Sequence, residues 1–153
     1  EGISLRYISG NPLTGRKIEE DGVLRAYDAQ VTVIPEGDDV HEVLGWASLS
    51  PKRYSAGGTY LNLKKRYRMD ARLLGGPRAI IVSNEYDKVF PMDIFPEQLI
   101  KATLAFNIEK MERLGIYEVA PEDFALCEFV DTSKLELQRI IRTGLDLLRK
   151  EVE

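Results

Sequence analysis

The chain has 153 residues, 44% of them hydrophobic and 30% charged, with a formal net charge of −4. This is the composition of a folded chain of one domain or two small ones, and it excludes a disordered one. The acidic balance gives no global reason to expect nucleic acid, no apolar run nears the roughly 18 residues of a membrane helix, and the single Cys127 excludes an internal disulfide or a multi-thiolate metal site within the chain.

The opening residues EGISLRYISG carry neither the basic nor the apolar region of a signal peptide, and no initiator Met. They read as a strand over Ile3 to Ile8 that starts at once, which is expected of a segment cut from a longer protein. Gly10-Asn11-Pro12 and Thr14-Gly15 are turn signals. Val23 to Tyr27 is a candidate short strand. Val31, Val33 and Ile34 form a β-branched strand stopped by Pro35 and Gly37. Glu42 to Ala47 is a further strand or bulged edge, with Gly45 suited to the bulge. Ser50 to Gly58 reads as a linker. Thr59 to Arg72 alternates at its start and favours helix later, until Gly75-Gly76-Pro77 ends it. Ala79 to Val82 is expected as a short strand with Tyr86 to Phe90 beside it.

The last third is helical in pattern. Pro96 suits a first helical position and Glu97 its first turn. Ile100, Leu104, Ile108 and Met111 recur at helical spacing, with Leu99 and Phe106 widening the apolar face. Asn107 is a possible break and Gly115 a stop. Pro121, Glu122 and Asp123 open a short helix through Phe124 and Leu126. Ser133 and Glu136 have capping-box spacing, ahead of a stripe of Leu137, Ile141 and Leu148 with Ile140 and Leu145. Arg149 and Lys150 suit a helix C-terminus. Strands first and helices after indicate α+β or two small domains.

Each candidate for chemistry has an ordinary alternative. His41, the one histidine, lies in DDVHE and could join Asp38, Asp39 or Glu42 around a metal; a solvated loop is the commoner meaning of such a stretch. Gly57-Gly58 and Gly75-Gly76-Pro77 lack the spacing and strand-to-helix setting of phosphate loops, so they read as turns. Lys64, Lys65, Arg66, Arg68 and Arg72, with Tyr60 and Tyr67 nearby, form a basic run with three readings: a solvated face, a contact with a partner protein or anionic lipid head groups, or nucleic-acid binding. Asp93 and Glu122-Asp123 fit helix starts. Cys127, set in FALCEF, is a buried inert thiol by default, since nucleophilic catalysis needs a paired base. We therefore expect no catalytic, cofactor-binding or metal-binding residue.

Residues 119–150, VAPEDFALCEFVDTSKLELQRIIRTGLDLLRK, resemble the C-terminal end of the A subunit of the sodium-translocating NADH:quinone oxidoreductases, through Glu122, Asp123, Ala125, Leu126, Cys127, Phe129, Val130, Ser133 and Lys134. Further elements follow the family's order: Ile8-Ser9-Gly10 with Leu13-Thr14-Gly15-Arg16, Gln30 to Gly37, Leu44-Gly45-Trp46, Gly75-Gly76 with Arg78, and Val89 to Pro96. The resemblance covers nearly the whole chain.

It implies an α+β chain: a ubiquitin-like β-grasp domain of the soluble-ligand-binding (SLBB) class over residues 1–55, then a C-terminal domain over 56–153, mixed at its start and helical from about 96. It implies a peripheral subunit on the cytoplasmic side of the bacterial inner membrane. Its partners would be other subunits of the complex, mainly the quinone-associated membrane subunit, with no nucleic acid and no span of its own. NADH, flavins, iron–sulfur and quinone would be handled in other subunits, with no cofactor in this segment, which leaves a structural role. The alternative is a module that binds a small, quinone-like ligand. The chain departs from the family at one place. The family commonly carries a second cysteine four residues after the first, where this chain has Asp131 followed by Thr132, and in more distant cluster-bearing relatives cysteines of this region ligate iron. One thiolate and one carboxylate are too few for a cluster.

Overall fold

The computed structural model describes residues 2–38, 53–58, 60–61 and 63–152. Two compact units, 1–76 and 77–153, make up the chain. The predicted strand over Glu42 to Ala47 and the Leu44-Gly45-Trp46 element lie outside the described residues. The described residues form a small antiparallel sheet followed by helices, a mixed α+β chain.

In the first unit, β1 (Leu5–Ser9), β2 (Arg16–Ile18) and β3 (Val31–Pro35) form an antiparallel sheet in the order β2-β1-β3. Tyr7 pairs with Ile18 on one side and Val33 on the other. The β1–β2 turn is fixed by Asn11, whose side-chain oxygen accepts the N–H groups of Leu13 and Thr14 at 2.8 and 2.9 Å, the local capture that makes Asn a turn residue. A Cβ at Gly15 would lie 2.4 Å from the Ile8 side chain and 2.3 Å from the Asn11 carbonyl, so this turn closes only on glycine. Ser9, fully buried at the end of β1, donates to Asp28 and accepts the Arg25 N–H at 3.0 Å. Asp28 is held in turn by the Arg25 guanidinium. These bonds shape residues 23–28 as an irregular loop, and the short strand expected over Val23 to Tyr27 does not form. Glu36 after β3 closes an ion pair on Arg6 of β1.

In the second unit, α1 (Pro96–Leu104), α2 (Ile108–Arg113), α3 (Ala125–Val130) and α4 (Leu137–Val152) surround one core of Leu99, Ile100, Met111, Phe124, Leu137 and Ile141, with the Phe90 and Phe124 rings 4.7 Å apart. The Leu137, Ile141 and Leu148 stripe faces inward as its spacing predicts. The face drawn through Ile100, Leu104, Ile108 and Met111 is divided. The chain leaves α1 at Ala105, Phe106 takes a positive φ of 51°, and Asn107 caps α2 by accepting the Lys110 N–H at 3.0 Å. Leu104 and Phe106 end 48% and 61% exposed. The inward face of α1 is instead Leu99, Ile100, Ala102 and Thr103.

Two further expectations are corrected and one holds. Residues 79–82 are irregular and Tyr86–Lys88 is a single 3₁₀ turn, so no strand pair forms there. The helix expected from Pro121 does form, opening as a 3₁₀ turn over Pro121–Phe124 and continuing as α3. The Ser133–Glu136 capping box is absent, because Ser133 is engaged elsewhere and α4 begins at Leu137.

Helices α1 and α4 meet at Gly144, where a Cβ would lie 2.6 Å from the Thr103 methyl and 3.1 Å from the Met111 methyl. Gly144→Val should therefore overpack this contact and cost about 1–3 kcal/mol, and Ile141→Asp, which buries an unpaired carboxylate, should abolish cooperative unfolding of the unit. Thermal melts of the two variants check this; unshifted melts would mean that α4 does not pack on α1.

Candidate functional site

The positions singled out for chemistry do not converge. His41, Asp39 and Glu42 lie outside the described residues, and Asp38 is exposed. Among the described residues no three His, Cys, Asp or Glu side chains come together as metal ligands would. Gly58 and Gly75 have φ of +73° and +109°, the backbone of turns. Asp93 is exposed, three residues ahead of α1, while Asp123 accepts the Ala120 N–H at 2.7 Å and so completes the start of its turn. Glu122 faces Arg142 of α4 at 3.8 Å across solvent, an exposed pair of little energetic weight.

The basic run is ordered by its aromatics. The Tyr67 hydroxyl accepts the Lys64 N–H at 2.8 Å, and its ring packs on Tyr54 with centroids 5.5 Å apart. The Arg53 guanidinium sits 5.8 Å over the Tyr60 ring. Both rings are thus occupied within the chain, which argues against their use as stacking platforms for bases. Arg72 turns back onto Asp70 and lies against Gly37.

The most organised polar group lies in the second unit, around Asp131. This carboxylate is 2% exposed and accepts three hydrogen bonds, from the Tyr86 hydroxyl at 2.7 Å, the Ser133 N–H at 2.9 Å and the Leu135 N–H at 2.8 Å. Burial of a carboxylate is tolerable only with such donors around it. Ser133 extends the group, its hydroxyl donating to the Ala79 carbonyl and its own carbonyl accepting the Arg78 N–H. Nearby, buried Glu97 in the first turn of α1 accepts the Ser83 N–H at 3.1 Å. Burial, then the facing Asp131 charge, push the Tyr86 phenol far above its ordinary range.

Cys127 belongs to the same group. It is fully buried and its thiol points at the Tyr86 carbonyl, 3.9 Å away. Burial, with the Asp87 and Asp131 charges behind it, pushes the thiol up to about 12. Burial thus favours the protonated thiol, the usual form of a cysteine packed in a core. Positions 127 and 131 therefore close on one residue, Tyr86, from two sides. The arrangement holds the 77–90 segment against α3 and the α3–α4 loop.

Sequence reasoning named Cys127 and Asp131, and placed Glu97 in the first turn of α1 where it lies, but missed Tyr86 and Glu128. Glu128 of α3 accepts the Gln138 N–H at 3.0 Å and so caps α4 from a distance of ten residues, in place of the expected capping box. The pattern Asp131-Thr132-Ser133 is itself a signal, since Asp readily captures the N–H two residues on. Nothing local marks Tyr86 or Glu128, whose partners lie 45 and 10 residues away.

No protein-family model matches the chain. Among curated proteins it is similar to the Na(+)-translocating NADH-quinone reductase A subunit of Pasteurella multocida, with 36% identity over 149 residues, 95% of this chain and 33% of that protein. The corresponding protein of Rhodopirellula baltica is 33% identical over 153 residues, 97% of this chain and 33% of the relative. That of Shewanella frigidimarina is 32% identical over 154 residues, covering 98% and 34%. The chain spans about a third of the length of the curated relatives it matches.

Two measurements follow from this geometry. Asp131→Ala strands three donors and should cost about 2–5 kcal/mol, read from the urea midpoint, with Tyr86→Phe costing about 1–2 kcal/mol; an unchanged midpoint for Asp131→Ala would remove the carboxylate from its organising role. Glu128 gives a pH signature. Burial raises its carboxyl above the ordinary value of 4.5, against the opposing pull of the Gln138 hydrogen bonds. Its stabilising contribution is then full below 4.5 and is lost as pH rises through the folded value. The stability difference between the natural chain and Glu128→Gln should fall as pH rises across that window; a difference that is flat or grows would contradict it.

Proposed function

We propose a role for this chain from the premise that it belongs to the family of Na(+)-translocating NADH-quinone reductase A subunits, matching about a third of their length. The role is structural: a segment that helps hold the A subunit in its complex and does no chemistry itself. In this reading the segment sits peripherally on the cytoplasmic side of the bacterial inner membrane. It meets other subunits, mainly the quinone-associated membrane subunit, which with the rest of the complex handles NADH, flavins, iron–sulfur and quinone. Residues 1–55 would be the β-grasp domain of the SLBB class and 56–153 the C-terminal domain. The described residues hold a small antiparallel sheet within the first range and helices from Pro96 in the second, in keeping with a mixed start followed by helices.

One observation carries the reading. At the place where the family resemblance points to cysteine chemistry, Cys127 and Asp131 are both buried against Tyr86 and committed to packing. Among the described residues no helix is long and apolar enough to cross a membrane.

The test is assembly. Membranes should retain the A subunit when these residues are present, and release it, with loss of sodium-dependent NADH:quinone reductase activity, when they are deleted from the full-length protein. Retention and full activity without them would reject the role.

A further inference from the structure

The first unit carries an exposed basic segment. Residues 63–70 have no regular secondary structure. The segment is tethered to the sheet at its far end, where the Ala71 N–H donates to the Pro35 carbonyl at 3.0 Å and Arg72 lies against Gly37. A second tether lies within it, where the Tyr67 hydroxyl holds the Lys64 N–H. Between the tethers Lys64, Lys65, Arg66 and Arg68 are all exposed, and among the described residues none of the four is in an ion pair. Four positive charges stand within five residues of a chain whose formal charge is −4. Beside them stand Leu61 and Leu63, 72% and 73% exposed, and the exposed Met69.

Neither property is met by a contact among the described residues. Exposed aliphatic side chains cost solvation unless something covers them. Uncompensated cations at this density repel one another. A surface that presents both negative charge and hydrocarbon relieves both at once. The irregular backbone offers no strand edge or helix face to template a protein partner, and compact basic clusters with interleaved aliphatics suit the head-group layer of an anionic bilayer.

We propose that Leu61 and residues 63–69 form a docking loop for an anionic lipid surface, with Lys64, Lys65, Arg66 and Arg68 on the phosphate groups and Leu61, Leu63 and Met69 dipping below them. The proposal rests on the reading that this chain works beside a membrane, and it adds a contact with lipid to the contacts with proteins.

The test is co-sedimentation of the full chain with phosphatidylcholine vesicles, with and without phosphatidylglycerol. Binding is expected only with phosphatidylglycerol, and it should weaken as salt is raised. Replacing Lys64, Lys65, Arg66 and Arg68 together by Ser should cut the partitioning by about tenfold or more, with circular dichroism confirming that the variant is folded. Arg66→Ser with Arg68→Ser is the milder second variant and should give an intermediate loss. Leu61→Ser with Leu63→Ser should weaken binding while keeping its dependence on phosphatidylglycerol. Equal binding to neutral vesicles, no binding to either kind, or unaltered binding by the fourfold variant would overturn the proposal. If the chain ignores vesicles while the full-length protein still co-purifies with its complex, the basic run belongs to a protein contact, and only the lipid proposal falls.

Discussion

A carboxylate taken out of water must be surrounded by donors, and the second unit is arranged around one that is. Asp131 draws together Tyr86, Ser133 and Leu135, three residues from two stretches of chain. Its bond to Tyr86 spans 45 residues and seats the irregular 77–90 stretch on the helices. Its bonds to the two following N–H groups set the loop that delivers α4. Ser133, fixed this way, reaches the Ala79 carbonyl, and α4 starts where Glu128 rather than Ser133 can cap it. Removing a buried carboxylate from such a set strands its donors, which is why one side chain can matter to a whole unit.

Much of this was legible in the sequence, for identifiable reasons. The α4 stripe was legible because burial on one face imposes helical spacing, and Leu137, Ile141 and Leu148 obey it. Asn107 was legible as a break because its side chain competes for backbone N–H groups. The split of the preceding face at Leu104 and Phe106 was not, since apolar spacing continues through a break that periodicity does not register. Residues 79–82 have the composition of a strand but find no paired neighbour; the Ala79 carbonyl and the Arg78 N–H before it bond to Ser133 instead. The capping-box spacing was matched by Ser133 and Glu136, yet a tertiary partner outcompeted the local one. The site was half legible: Cys127 and Asp131 stood out by sequence, while Tyr86 and Glu128 depend on contacts that only folding creates.

The family relationship and the chemistry meet at positions 127 and 131. Burial pushes the Cys127 thiol up, and the carboxylate four residues on accepts three hydrogen bonds. Both facts point to packing. The exposed basic run lies in the other unit.

The central claim is that this segment of the A subunit supports the complex without taking part in its redox chemistry. The most direct measurement is the turnover of the assembled complex carrying Cys127→Ala in the full-length protein. The account predicts normal assembly and an unchanged sodium-dependent NADH:quinone reductase rate, because the thiol is a buried packing group. A complex that assembles normally but turns over slowly would contradict it and place Cys127 in the chemistry.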